Sequence, residues 1–387
     1  MSISEKMNST AVGLKPSGIR RFFDLAYTME NVVSLGIGEP DFVTPWHIRD
    51  AGIYSLEKGI TAYTPNRGLP DLQRAVSAYL KRRFELEYSP DEVLVTVGGS
   101  EAIDLAVRAF VEPGDEVIIP EPSFVCYDPI TRLAGGIPVA LPTFPEDEFR
   151  INAAILEKKI TGKTKVLMLP FPNNPTGAVM REEHLKSIAE LCVKHDLVVI
   201  SDEIYGELTY GDRKHFSIAL LPGMRERTVI VSGLSKSHAM TGWRIGYAVA
   251  PAEAVKLMTK IHQFAIMSAP TTSQYAAIEA LEAGDENIAE MREEYDGRRK
   301  YMLEGFRKMG LPCFEPQGAF YMFPDIRSTG MSSEEFCERL LREQRVAVIP
   351  GDAFGSAGDG FVRCSYCYSI QAIGTALEGI ERFIRSL

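Results

Sequence analysis

The chain of 387 residues contains no apolar run approaching the ~18 residues that a membrane-spanning helix needs. It has no excess of positive charge either. Against 52 Asp and Glu stand 42 Lys and Arg, and the formal net charge of −10 argues against a nucleic-acid or anionic-membrane partner. The opening residues MSISEKMNST include an acid and lack the apolar core of a signal peptide. These absences predict a cytoplasmic protein. Internal repeats, low-complexity stretches and flexible linkers are missing too, which predicts closely packed domains with a ligand cleft between them.

Cysteine is sparse and scattered, at 126, 192, 313, 337, 364 and 367. A reducing compartment argues against disulfides. Cys364-Ser-Tyr-Cys367 is a C-x-x-C, but neither a second such pair nor a histidine cluster completes a tetrahedral metal site. Packed thiols in or beside a strand are expected, and no metal.

What is present is a βα alternation. Short, nearly continuous apolar runs predict strands at Val93–Val97, Glu116–Pro120, Pro138–Leu141, Lys165–Leu169, Leu197–Ser201, Thr228–Ser232 and Ile245–Ala250. Helical patterns at Ser100–Val111, Glu182–Lys194 and Ala252–Phe264 fall between them. This predicts an α/β fold with a large, doubly wound, mostly parallel seven-stranded sheet domain over residues 47–285. Toward the end, helices Asn287–Met309, Ser332–Glu343 and Ile370–Ile384 accompany short strands at Phe320–Phe323 and Val346–Ile349. With the turn-rich start they predict a smaller α+β domain built from both termini, residues 1–46 and 286–387. Two domains suit the length.

Four segments carry chemistry. In Ser232-Gly-Leu-Ser-Lys-Ser-His-Ala-Met-Thr-Gly-Trp-Arg-Ile-Gly-Tyr247, Lys236 follows a strand in a Gly/Ser-rich turn. A lysine there can form a Schiff base with an aldehyde once its pKa is lowered. Arg244 can clamp a phosphate, and Ser235 and Ser237 offer hydroxyl donors. In Val199-Ile-Ser-Asp-Glu-Ile-Tyr205, Asp202 sits at a strand's C-terminal end, where open α/β sheets bind ligands. It can hold a protonated ring nitrogen, with Tyr205 donating to a phenolate oxygen; the bland reading of Asp202 is a helix N-cap. Pro172-Asn-Asn-Pro-Thr-Gly177 fixes a turn that aims Asn174 into the same cleft. Val97-Gly-Gly-Ser-Glu-Ala102 opens a helix whose exposed backbone N–H groups and dipole make an anion site, with Ser100 as cap and phosphate ligand. It is not the dinucleotide G-x-G-x-x-G, which argues against a nicotinamide enzyme.

The order and spacing of these segments resemble the fold-type I pyridoxal-phosphate aminotransferases of the aspartate/aromatic family. The likeness runs from Ser34-Leu-Gly-Ile-Gly-Glu-Pro-Asp-Phe42 to Phe361-Val-Arg-Cys-Ser-Tyr366. It implies a homodimeric enzyme that moves the amino group of an α-amino acid to a 2-oxo acid, expected to be 2-oxoglutarate, by a ping-pong cycle on pyridoxal 5′-phosphate. By the same resemblance Lys236 holds the cofactor and shuttles the proton, and Asp202 pairs with the pyridine nitrogen. Tyr205 and Asn174 bond the ring hydroxyl, and Phe124 stacks on the ring. Gly99, Ser100, Ser235 and Arg244 hold the phosphate, with Glu101 in the same helix start. Arg363 grips the substrate carboxylate with Asn174 and the backbone N–H of Gly38. Tyr63 reaches the neighbouring subunit's phosphate.

The amino donor is less defined. Aspartate-type members carry a lysine and a threonine where this chain has Ser100 and Ile19. An aromatic or broad donor range is therefore expected, with Phe22, Phe23 and Tyr127 as candidates for an apolar pocket. Helix core is the other reading of the two phenylalanines. Arg20 and Arg21 remain candidates for meeting a dicarboxylate. Aspartate and N-acetyl-diaminopimelate aminotransferases are alternatives, as is a C–S or C–C lyase on the same scaffold. A non-catalytic binding domain fused to a regulator would need a DNA-binding extension or basic patch, and neither is visible.

Overall fold

The computed structural model describes residues 3–16, 18–19, 22 and 29–387. Strand β1 (Val33–Ser34) belongs to a small sheet considered below. The next seven are β2 (Val93–Thr96), β3 (Glu116–Glu121), β4 (Ile137–Pro142), β5 (Thr164–Pro170), β6 (Val198–Asp202), β7 (Thr228–Gly233) and β8 (Gly246–Val249). They form one sheet in the order β2-β8-β7-β6-β5-β3-β4. β8 runs antiparallel to both neighbours, and the other pairs are parallel. The seven apolar runs singled out in the sequence are these seven strands, each end within one residue.

Both faces of the sheet are covered, which is why its strands read as continuous apolar runs. Side chains alternate between the two faces. Leu94, Val117, Ile119, Val166, Met168, Ile200, Val229 and Val231 pack with Ala102, Ile103 and Ala106 of the helix Gly98–Phe110 and Val255 of Ala252–Ala265. On the other face, Ile118, Leu167 and Val199 meet Leu185 and Ile188 of Glu182–Lys194. Val93, Val95, Ile230 and Tyr247 meet Leu72 and Val76 of Pro70–Phe84 and Ala276, Ala277 and Ala280 of Thr271–Ala283. The last helix was not singled out because its buried stripe is alanine, a weak hydrophobic signal.

Register decides where the ligand goes. Thr96 and Gly233 both pair with Gly246, so the turns after β2 and β7 and the residues just before β8 lie on one edge. Asp202 pairs with Val231 and Pro170, adding the ends of β6 and β5 to that edge.

The chain ends form smaller sheets. β1 pairs in parallel with β10 (Val346–Ala347), while β12 (Val362–Ser365) lies between β9 (Tyr321–Met322) and β11 (Ile349–Pro350). The single strand expected at Val346–Ile349 is thus two. Its first half bonds to β1 and its second to β12, so the ladder breaks at buried Val348. Helices Asp285–Lys308, Ser333–Gln344 and Ile370–Arg385 close a common core around Tyr295, Phe306, Phe336 and Phe383. No helix among the described residues is long and apolar enough to cross a membrane.

Candidate active site

The sheet edge opens into a cavity of about 570 Å3, a volume suited to a small-molecule site. At one end the helix Gly98–Phe110 starts two residues after β2. Its first backbone N–H groups lack intrahelical partners, and its dipole favours an anion. Gly99, Ser100, Ser235, Thr241 and Arg244 line this end. Gly98 has a φ of 75°, and a Cβ there would lie 2.6 Å from Arg244 Nη2. Only glycine lets the guanidinium close against the helix start. Arg244 Nη1 donates to the Thr241 carbonyl at 3.0 Å, which orients the fork.

Asp202 ends β6 and is 8% exposed. Tyr127 donates to its Oδ2 at 2.8 Å and the Ile204 N–H to its Oδ1 at 3.2 Å. Burial pushes the carboxyl up to about 6, against the pull of these two hydrogen bonds. A buried carboxylate in this state is well matched to a cationic N–H donor. Across the cavity, Lys236 Nζ donates to the Gly38 carbonyl at 2.6 Å and lies 5.7 Å from the Phe320 ring centre. Burial pulls its pKa down to about 8, helped by Arg363 and Arg244 and opposed by Cys367 and Glu39. About a tenth of the lysine is therefore free amine at neutral pH, far more than for an ordinary lysine.

Arg363, on β12, is 3% exposed. Its Nη1 donates to Asn174 Oδ1 at 3.0 Å and its Nη2 to the Gly36 carbonyl at 2.5 Å, while buried Nε has no partner. The guanidinium lies 4.5 Å from the ring centre of Tyr321 and 4.8 Å from that of Phe354. Tyr205 and Tyr321 face each other with hydroxyls 2.8 Å apart. Phe124 completes the lining beside Tyr127, its ring edge-on at 6.0 Å.

The structure thus brings Gly38, Gly99, Ser100, Phe124, Asn174, Asp202, Tyr205, Ser235, Lys236, Arg244 and Arg363 around one cavity. Other candidates lie elsewhere. The Glu101 side chain turns away, accepting from the Val97 N–H and pairing with His262 Nδ1 at 2.7 Å. Ser237 is engaged with His238 Nδ1 at 2.8 Å, not with the cavity. Phe22 is core, packed in the terminal unit. Tyr63 is 82% exposed and outside its own chain's cavity. Cys364 and Cys367 are free and buried, and burial pushes the Cys367 thiol up to about 12. Arg20, Arg21 and Phe23 lie outside the described residues. Tyr127, a candidate for an apolar side-chain pocket, does line the cavity, with its hydroxyl on Asp202. Tyr321, Ile37, Glu39 and Thr241 also line the cavity and were not singled out.

The family described as aminotransferase class I and II matches residues 30–380. The chain belongs to this family. It is 54% identical over 372 residues to the protein YugH of Bacillus subtilis (strain 168), covering 96% of each. The aspartate aminotransferase of Pyrococcus abyssi is 46% identical over 388 residues, covering 100% of this chain and 99% of that one. The solved aromatic aminotransferase from Pyrococcus horikoshii OT3 superposes with a TM-score of 0.90 at 46% identity, covering 95% of this chain and 99% of that one. The enzyme is a transaminase that uses pyridoxal phosphate, on the fold-type I architecture. Its cavity fits that cofactor: an anion cradle where Arg244 closes against the helix start at Gly98, a buried carboxylate, and a lysine with a depressed pKa.

Proposed function

We propose that this aminotransferase takes its amino group from an α-amino acid with an aromatic or otherwise apolar side chain, and delivers it to 2-oxoglutarate. One observation carries the choice of donor. Lys236, Arg244 and Arg363 are the cavity's cations among the described residues, and Ile19 and Ile37 are apolar neighbours in the same lining. With Lys236 and Arg244 on the cofactor and Arg363 on the α-carboxylate, none of these three is left to meet a distal carboxylate, and Arg20 and Arg21 remain the candidates for that of 2-oxoglutarate. Relatives named for aspartate and for aromatic substrates stand at the same 46% identity, so similarity alone does not choose. The acceptor follows from family resemblance.

Residue roles follow from position. Pyridoxal phosphate supplies, when bound, an electron-withdrawing ring that makes the substrate's Cα proton removable. Gly99, Ser100, Ser235 and Arg244 hold its phosphate, with the Glu101 N–H in the same first turn. Asp202 keeps a proton on the ring nitrogen, Phe124 stacks on the ring, and Tyr205 and Asn174 bond its hydroxyl oxygen. Arg363, Asn174 and the Gly38 N–H orient the substrate carboxylate. Lys236 Nζ would take the proton from the substrate's Cα and hold it for return. A second oxo acid then enters the same cavity and reverses the sequence, a ping-pong cycle.

Residues 47–285 are taken as the cofactor domain and residues 1–46 with 286–387 as the smaller one. The acidic charge and the unpaired cysteines support a cytoplasmic setting. A homodimer is supported by the large side chains left bare at Trp46, Tyr63 and Phe264, 61%, 82% and 82% exposed. Tyr63 would then serve the partner's phosphate.

The test of the donor is kcat/KM for phenylalanine, alanine, tyrosine, aspartate and an N-acylated diamino acid, each with 2-oxoglutarate. A buried aromatic side chain contributes about 2–3 kcal/mol, so phenylalanine should exceed alanine by about tenfold or more. Aspartate outrunning phenylalanine a hundredfold, or the acylated diamino acid winning outright, would overturn the reading.

A further inference from the structure

Tyr321 touches three parts of the site at once. Its ring lies beneath the Arg363 guanidinium, 4.5 Å from centre to carbon. Its hydroxyl is 2.8 Å from the Tyr205 hydroxyl. A Cβ at Gly38 would fall 2.4 Å from that same hydroxyl, so the oxygen abuts the backbone whose carbonyl takes the Lys236 hydrogen bond. The residue is 1% exposed and held by the sheet: Tyr321 pairs with Ser365, two positions beyond Arg363 on the neighbouring strand.

A phenol has one proton to give. Burial pushes Tyr321 up to about 12 and Tyr205 well above the usual tyrosine range, so both stay protonated at neutral pH. If Tyr205 spends its proton on the cofactor, its oxygen can only accept from Tyr321. Were the direction reversed, Tyr205 would have no donor left for the cavity. The chemistry of the site therefore selects one of the two arrangements that the 2.8 Å contact permits.

We propose that Tyr321 is a positioning residue for the transamination: its hydroxyl donates to Tyr205 Oη and turns the Tyr205 proton toward the cofactor's phenolic oxygen, while its ring supports Arg363 for the substrate carboxylate. This rests on the reading that Tyr205 faces the cofactor and Arg363 the carboxylate. One residue thereby links the setting of the cofactor's electronics to the grip on the substrate.

Spectral pH titration of the resting holoenzyme separates the two functions from each other and from simple packing. A donor to the phenolic oxygen stabilises its anion, so losing the donor moves the titration seen in the bound cofactor's absorbance upward. Tyr205→Phe should move it up by about one unit, the scale of one hydrogen bond to a charged group. Tyr321→Phe should move it in the same direction by about half as much, with KM for the amino donor within about twofold because the ring under Arg363 remains. Tyr321→Leu removes the ring as well and should raise KM by about fivefold. If the leucine variant fails to fold, the phenylalanine variant, of nearly equal volume, still decides. Tyr321→Phe titrating with the wild type while Tyr205→Phe shifts would overturn the proposal and leave the site reading intact. If Tyr205→Phe also titrates unchanged, the placement of Tyr205 fails, and the proposal with it.

Discussion

The two walls of the cavity are built differently. On one side Ser100, Asn174, Asp202, Lys236 and Arg244 all stand at or within four residues of a strand end, so the ladder of the seven-stranded sheet sets their spacing. On the other, Gly36–Gly38, Tyr321 and Arg363 come from the chain's two ends, and hydrogen bonds that leap along the sequence hold them. Lys236 to Gly38 spans 198 residues, Arg363 to Gly36 spans 327, and Ile37 to the Tyr368 hydroxyl spans 331. The first wall carries the groups suited to the cofactor and the second those suited to the substrate. A fold can thus keep its cofactor chemistry in the sheet and vary substrate choice in loops anchored at a distance.

The comparison is broken most completely at Lys236, where the walls meet. Lys236→Ala should lose about 10^4-fold or more in kcat, since cofactor attachment and proton transfer go together. Borohydride reduction should fix the cofactor on the peptide containing Lys236, and label on another lysine would end the assignment. The depressed pKa has its own signature in the apoenzyme. The free amine is the reactive form, and the cation dominates below about 8. Cofactor recombination should therefore quicken about tenfold per pH unit below that point and level off above it, whereas an ordinary lysine would keep climbing to about 10.4.

On the sheet wall alone, Asp202→Asn removes the carboxylate and keeps the shape. A loss of about 10^2-fold in kcat is expected, the scale of deleting a preorganised electrostatic partner. A near-normal rate at saturating cofactor would reduce Asp202 to a cap on the following turn.

This difference also explains what could be read from the sequence. Lys236, Asp202 and Asn174 each sit in a short motif directly after an apolar run, so strand and motif announced one another. Tyr321 sits inside Ala319-Phe320-Tyr321-Met322-Phe323, where a hydroxyl among apolar neighbours looks like core. Only the register with β12 brings it beneath Arg363. At Glu101 the sequence does not tell side chain from backbone. The residue adjoins Ser100, but one helical step rotates a side chain by about 100°, which sends its carboxylate to His262 instead of the cavity. The break at Val348 had no local mark, because the partners β1 and β12 that split the strand lie far away in sequence.

Tyr63 tests whether a third wall comes from the partner subunit. Tyr63→Phe should weaken cofactor affinity by about tenfold, the worth of one hydrogen bond to a charged phosphate. Mixing this variant with Lys236→Ala should yield hybrid dimers in which one site collects both lesions and the other collects neither. A monomeric active enzyme would refute the sharing.

The smallest effect is expected at the anchor of the terminal wall. Arg298 Nη1 lies 2.8 and 2.9 Å from the two carboxylate oxygens of Asp41, three residues beyond Gly38. The guanidinium is 5.4 Å from the Phe42 ring centre and 5.7 Å from that of Tyr295, which fastens the Gly36–Asp41 loop to the helix Asp285–Lys308. The Arg298 side chain is 9% exposed and its partner's 30%, so the pair is only partly shielded from water. Asp41→Asn keeps one acceptor and removes the charge, at a cost of about 1 kcal/mol. If that loss falls on the loop that carries Gly38, KM for the amino donor should rise about fivefold. Asp202 itself bonds to Tyr127 and Ile204 and not to this loop, so kcat should hold. An equal fall in kcat with unchanged KM would mean that the two walls are not independent, and the division between a cofactor wall and a substrate wall would fail.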